Sequence, residues 1–256
     1  MNKEVMIKIR QLKIAFGDYV VIDNIDLDVY KGETLAIIGP SGTGKSTIMK
    51  VLDGLLAPTS GSIVINGQEV SEFDEDAWNE IRKNMGVVFQ YSALFDFLTV
   101  GGNVAFGLKQ HFKLSKEEID NRVSSLLELV GMPGSENLLP SELSGGMKKR
   151  VGLARALAIE PKIVLYDEPT SGLDPVMTTT ISKLIKKTQE HLGVTSLLVT
   201  HDMKSCYVCA DRIAMLYKGK IVQVGTVEEI KNSSNPIVQA FINGWEFKEE
   251  ENDGNK

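Results

Sequence analysis

The stretch that most constrains this chain reads Gly-Pro-Ser-Gly-Thr-Gly-Lys-Ser-Thr, from Gly39 to Thr47. It fits G-x-x-x-x-G-K-[ST], with Gly39, Gly44, Lys45 and Ser46 at the fixed places. Before it, Thr34–Ile38 is a short apolar run that reads as a buried parallel strand; from Ser46 onward the pattern reads as a helix. A strand, a glycine loop and a helix are the parts of a phosphate cradle. The glycines let backbone N–H groups converge on phosphate oxygens, and the helix N-terminus adds favourable partial charge. The cradle therefore takes in Gly39, Pro40, Ser41, Gly42, Thr43, Gly44, Lys45, Ser46 and Thr47. Lys45 is placed to reach the β- and γ-phosphates, and the Ser46 hydroxyl to ligate Mg²⁺. A purely structural Gly-rich turn is the alternative, and the flanking strand and helix argue against it.

A second acidic site accompanies this loop. Ile163–Asp167 is an apolar strand ending in two carboxylates, Asp167 and Glu168. On a parallel sheet the C-terminal strand ends face the ligand crevice. Asp167 would hold Mg²⁺, directly or through water, and Glu168 would orient or deprotonate a water for attack on the γ-phosphate. Acidic residues also end strands as helix caps, but beside a phosphate loop the catalytic reading is favoured. Leu143-Ser-Gly-Gly-Met147 leads into a helix, so Ser144, Gly145 and Gly146 form a second anion-binding corner. One nucleotide has one γ-phosphate, and the first loop already cradles it. The economical reading is that this corner faces a nucleotide held by another subunit.

The order of elements gives the frame. Two alternating segments, 5–16 and 20–29, read as strands, as does 62–67 after the breaker cluster 57–61. Met85–Gln90 reads as a strand ending in a polar residue. Residues 91–108 are apolar and aromatic around Gly101-Gly102, and 116–130 has helical spacing stopped by Gly131. Asp174-Pro175 caps a helix that Gly193 stops, and 194–200 is another buried strand. A hairpin turns at Lys218-Gly219, Thr226–Glu229 is a capping box, and Pro236 starts the last helix. The expected organisation is one domain over 1–256: an α/β core lobe from 1–90 and 161–225, a helical lobe inserted at 91–160, C-terminal helices at 226–247, and a disordered tail at 248–256.

Composition excludes several classes. The net charge of -6 lacks the basic footprint of a nucleic-acid-binding domain. No apolar run reaches the ~18 residues that suggest a membrane span, and the N-terminus has no signal-peptide core, so the chain is read as soluble and cytosolic. Cys206 and Cys209 stand C-x-x-C, which is compatible with a redox pair or half a zinc site. With no second pair and a helical local pattern, two inert reduced thiols are expected.

At this point the chain resembles the ATP-binding subunits of ABC transporters. The residues that match, in family order, are the loop 39–47, Gln90, the signature 143–147, the strand end 163–168, the loop Ser171-Gly-Leu-Asp174 and His201. They cover most of 5–225. The resemblance implies a P-loop NTPase fold with a RecA-like α/β core lobe, an N-terminal antiparallel β region and the inserted helical lobe. It also implies ATP and Mg²⁺ as cofactors, a homodimer of ATPase subunits, an integral membrane permease as partner, and a peripheral position on the cytoplasmic face of the bacterial inner membrane. Carried over, Gln90 would contact Mg²⁺ and the attacking water, Asp174 would lie at the subunit interface, and His201 would touch the γ-phosphate and orient Glu168. Phe16 would stack on adenine, with Tyr19 as the other candidate and core packing as the plain alternative.

One departure narrows the resemblance. Met147 stands where the wider family usually has Gln, which removes a Gln contact to the partner nucleotide and leaves those of Ser144 and Gly146. Leu143–Arg150, Phe89–Asp96, Leu98–Phe106 and Val238–Gly244 together resemble the Mla-type (MlaF-like) ATPases. That subgroup implies lipid movement between bacterial membranes, with a permease and an MCE-domain lipid-binding protein. An importer of amino acids or another small solute is the competing reading, against which Met147 counts. DNA-repair and translation relatives carry a long coiled coil or two cassettes; this chain has neither.

Overall fold

The computed structural model describes residues 3–246. The tail at 248–256, expected to be disordered, lies outside them.

Strands β1 (Val5–Phe16), β2 (Tyr19–Tyr30), β4 (Ser60–Ile65) and β5 (Gln68–Glu69) form an antiparallel sheet in the order β2-β1-β4-β5. The alternation in β1 is imperfect for a physical reason. Ile7 and Ile9 are buried, then Leu12 and Ile14, with the extra residue absorbed where Gln11 turns left-handed (φ 48). Such a bulge keeps both pairs on one face. Asn24 (φ 55) makes the matching shift in β2.

The second sheet runs β10-β9-β3-β8-β7-β6. Its parallel strands are β3 (Thr34–Ile38), β6 (Met85–Val88), β7 (Ile163–Asp167), β8 (Thr195–Val199) and β9 (Arg212–Tyr217); β10 (Lys220–Thr226) closes it as a hairpin with β9. Both faces are covered, which explains the unbroken apolar runs. Leu35, Ile37, Leu165 and Leu197 pack with the antiparallel sheet and with helices α1 (Lys45–Leu52) and α2 (Glu75–Arg82). Ala36, Ile38, Val164, Tyr166 and Leu198 pack instead against the remaining helices.

Those helices are α3 (Val100–His111), α4 (Lys116–Leu129), α5 (Gly145–Leu157), α6 (Pro175–Leu192), α7 (Met203–Cys209), α8 (Val227–Lys231) and α9 (Pro236–Asn243). Between 91 and 160 the regular elements are helical. The strand expected over 85–90 stops at Val88, so Phe89 and Gln90 already belong to the following loop. Cys206 and Cys209 are buried free thiols, and burial raises both pKa values, that of Cys209 to about 12.

The junction between the lobes is tight at Gly86, where a Cβ would fall 2.4 Å from the Ala156 carbonyl oxygen of α5. Gly86→Ala should therefore lower stability by about 1–3 kcal/mol, read as a lower urea midpoint at constant slope. An unchanged midpoint would show that α5 yields freely there.

Candidate functional site

Four neighbouring parallel strands end at one edge, and each delivers one part of the site. Strand β3 runs into the loop 39–44, β7 into Asp167 and Glu168, β8 into Thr200 and His201, and β6 into Gln90. The crevice beyond carboxyl strand ends is where open α/β sheets bind ligands.

The loop is built on glycine for steric reasons. Gly44 has φ 99, and a Cβ there would lie 2.7 Å from Ile22 Cδ1. Lys45 is buried, and its ammonium donates to the carbonyls of Gly39 (2.8 Å) and Pro40 (2.9 Å). Thr43 donates to the Pro40 carbonyl as well, at 2.9 Å. Burial pushes the Lys45 pKa down, against the pull of Glu168 and Asp167.

Ser46 Oγ donates to Asp167 Oδ1 at 3.2 Å, so the first turn of α1 and the end of β7 meet. Burial raises the Asp167 pKa; the Ser46 bond lowers it, and the neighbouring Glu168 charge raises it again. A cation between these groups would relieve both pressures. A hydroxyl and a carboxylate are hard oxygen donors of the kind Mg²⁺ takes, with its other positions left to water and phosphate. Among the described residues no cluster of three or more His, Cys, Asp or Glu could hold a metal alone.

Glu168 sits at φ 47, a left-handed conformation for a non-glycine residue, held by its N–H on the Val199 carbonyl at 2.9 Å. Strain of this kind persists where surroundings over-determine it. One carboxylate oxygen, Oε1, lies 2.9 Å from His201 Nδ1; the other, Oε2, is buried without a protein partner. A carboxylate only accepts, so the shared proton sits on Nδ1, leaving Nε2 for a second partner. Gln90 Nε2 donates to Ser171 Oγ at 3.2 Å, which ties its loop to the segment leading to Asp174.

The remaining residues lie on other elements. Ser144 caps α5 by accepting from Met147 N at 3.3 Å, and Gly146 lies against the Met177 side chain. Ser144 and Gly145 are exposed, and among the described residues no hydrogen bond joins Ser144, Gly145 or Gly146 to 39–47. Asp174 caps α6, accepting from Val176 N and Met177 N. Phe16 faces Tyr19 across the mouth of the β1–β2 hairpin, and both rings are exposed, at 53% and 68%. On the same strand Val21 packs on Gly44, so the hairpin borders the loop.

Sequence reasoning passed over Lys149, which is buried on α5 and donates to the Gln90 carbonyl. A lysine three residues after a glycine-rich helix start reads as solvated, and only the tertiary structure shows it inside. Asn103 was also silent: it is buried and bonds to the backbone of Phe95, Leu98 and Thr99, fixing the aromatic loop. An asparagine inside an apolar helical stretch is the signal that could have found it.

The model of the ABC transporter family matches residues 22–171. The chain is 39% identical over 244 residues to the intermembrane phospholipid transport system ATP-binding protein MlaF of Haemophilus influenzae, covering 95% of this chain and 92% of that protein. It is 41% identical over 242 residues to the methionine import ATP-binding protein MetN of Carboxydothermus hydrogenoformans, covering 93% of this chain and 72% of that protein. An ATP-binding cassette solved as a dimer in a post-hydrolysis state, bound to ADP and Pi, superposes with a TM-score of 0.80 at 33% identity, over 87% of this chain and 99% of that one.

Proposed function

This chain belongs to the ABC transporter family and is an ATPase, and from that premise we propose that it is the motor subunit of a bacterial transporter, driving an integral membrane permease that moves phospholipid between membranes. The observation behind the motor chemistry is the meeting of Glu168, His201 and Asp167 at adjacent strand ends with Ser46 in the first turn of α1. ATP lies along the loop 39–47, with Phe16 against the adenine. Lys45 exchanges the carbonyls of Gly39 and Pro40 for the β- and γ-phosphates. Ser46, Asp167 and Gln90 would hold Mg²⁺, which when bound would supply positive charge against the phosphates. Glu168 takes a proton from the attacking water while His201 Nδ1 fixes its carboxylate. Ser144, Gly145 and Gly146 of a second copy, with Asp174 at the interface, complete each site. The dimeric relative with ADP and Pi supports that arrangement.

The permease reading rests on an exposed aromatic surface directly after Gln90. Tyr91 and Phe97 are 85% and 80% exposed. Phe95 packs beneath Phe97 and against Phe106, with ring centroids 5.7 and 4.6 Å apart, so Phe97 is the outward member of the group. Aromatic anchors of this kind dominate protein interfaces. Phe97→Glu should spare ATP binding and weaken permease association by about 2 kcal/mol, roughly thirty-fold, measured by co-purification. Undiminished recovery of the permease would place the interface elsewhere.

The phospholipid cargo is supported by the Haemophilus influenzae relative, and an MCE-domain partner is proposed from the resemblance of the Met147 signature to Mla-type ATPases. The second reading, an importer of amino acids or another small solute, is favoured by the methionine-import relative. Among the described residues no helix is long and apolar enough to cross a membrane; the proposed place of the subunit, peripheral on the cytoplasmic face of the inner membrane, follows from its proposed permease partner. Purification of the assembled complex from membranes, followed by lipid analysis, separates the two. Bound phospholipid with a permease and an MCE-domain protein supports the first; a solute-binding protein without lipid supports the second.

A further inference from the structure

Among the described residues, the buried lysines are Lys45 and Lys149. The phosphate loop accounts for the first. The second, 6% exposed, lies on α5. Its ammonium donates to the Gln90 carbonyl and stands 3.4 Å from the carbonyl of Glu168. Burial lowers its pKa, while the charges of Glu168 and Asp167 act the other way. Further along α5, Arg155 donates to the carbonyls of Ser92 (2.8 Å) and Ala93 (2.5 Å). The helix thus grips the loop after β6 at two points, and only Lys149 also reaches the strand end that carries the base.

We infer that Lys149 is a positioning residue, joining the helix that presents Ser144 to the two backbone segments, at Gln90 and Glu168, between which the attacking water must be held. This rests on the ATPase reading of the site. Lys149 lies five residues from Ser144, about 7.5 Å along a rigid helix. A displacement of Ser144 by a partner's nucleotide therefore moves the ammonium. One cation bound to two carbonyls resists their separation, because parting them leaves a buried polar group without its charged partner. Gln90 and Glu168 accordingly keep their spacing only while α5 is in place. Each chain's base would then sense whether its own signature corner is engaged on the neighbouring nucleotide. A lysine that merely satisfied two buried carbonyls would affect stability alone.

The test compares full-length Lys149→Met, Lys149→Arg and Glu168→Gln with the wild type, reading ATP turnover, ATP affinity and thermal melting. Lys149→Met keeps length and loses the donor. Its kcat should fall about 10- to 100-fold, the range expected for a misplaced reacting group. ATP affinity should stay within about twofold, and Lys149→Arg should recover most of the turnover. A wild-type kcat in Lys149→Met overturns the inference. So does a loss of kcat matched by ATP affinity and melting, with Arg no better than Met. If Lys149→Met does not fold, Lys149→Gln, which keeps an amide donor but no charge, is read by the same split. Inactive Glu168→Gln beside fully active Lys149→Met refutes only the role of Lys149. Fully active Glu168→Gln refutes the site itself.

Discussion

Glu168→Gln should bind ATP as the wild type does and lose turnover by about 10²- to 10⁴-fold. The substitution preserves shape, and the new side-chain oxygen can still accept from His201 Nδ1, as Glu168 Oε1 does at 2.9 Å. What it removes is the capacity to take a proton. Charge balance around Lys45, Asp167 and Lys149 changes by one, which does not oppose a polyanionic ligand. Single-turnover hydrolysis with excess protein reads the chemical step, and nucleotide binding by equilibrium titration reads the rest. Hydrolysis at the wild-type rate would mean that the base is another group.

The second large effect concerns the corner at Ser144. Ser144 is exposed at the start of α5 and bonds only within its own helix start among the described residues, and we propose that it completes a composite site with the partner's nucleotide. Ser144→Arg should abolish turnover by blocking the partner's γ-phosphate. Lys45→Ala should abolish it by removing the fixed charge on the chain's own nucleotide. Mixed in equal amounts, the two inactive variants should regain activity. A mixed dimer pairs the intact loop of one chain with the intact corner of the other. With random pairing and independent sites the mixture should show roughly a quarter of the wild-type rate. No recovery on mixing, with both variants folded, would mean that the two motifs act within one chain.

Much of this arrangement was legible because its elements are strongly local. The buried runs at 34–38, 163–167 and 195–199 are continuous and apolar, since helices and a second sheet cover both faces of the parallel sheet. Chemistry at their carboxyl ends then follows from fold topology. The caps at Asp174 and Thr226 act through atoms within a few residues, so they too were readable.

What escaped depends on distant partners. Helix α2 carries only Trp78 and Ile81 as buried residues in two turns, too few to reveal a period. Helix α3 carries Gly101-Gly102 in its first turn, a pair that propensity counts against. It forms because Thr99 caps it, and because the N–H groups of Val100 and Gly101 bond to the carbonyls of Leu138 and Glu136. The slip in β1 was visible only as imperfect alternation until its pairing with β2 showed the bulge at Gln11. Lys149 had no local signal, since its partners lie 59 and 19 residues away along the chain.

We propose that one chain holds half a catalytic site and that ATP joins two halves. The most direct measurement is light scattering on Glu168→Gln protein, with and without Mg-ATP, at high protein concentration. Trapped before hydrolysis, the variant should run as a dimer with ATP and as a monomer without it. A protein that binds ATP yet stays strictly monomeric would contradict the account.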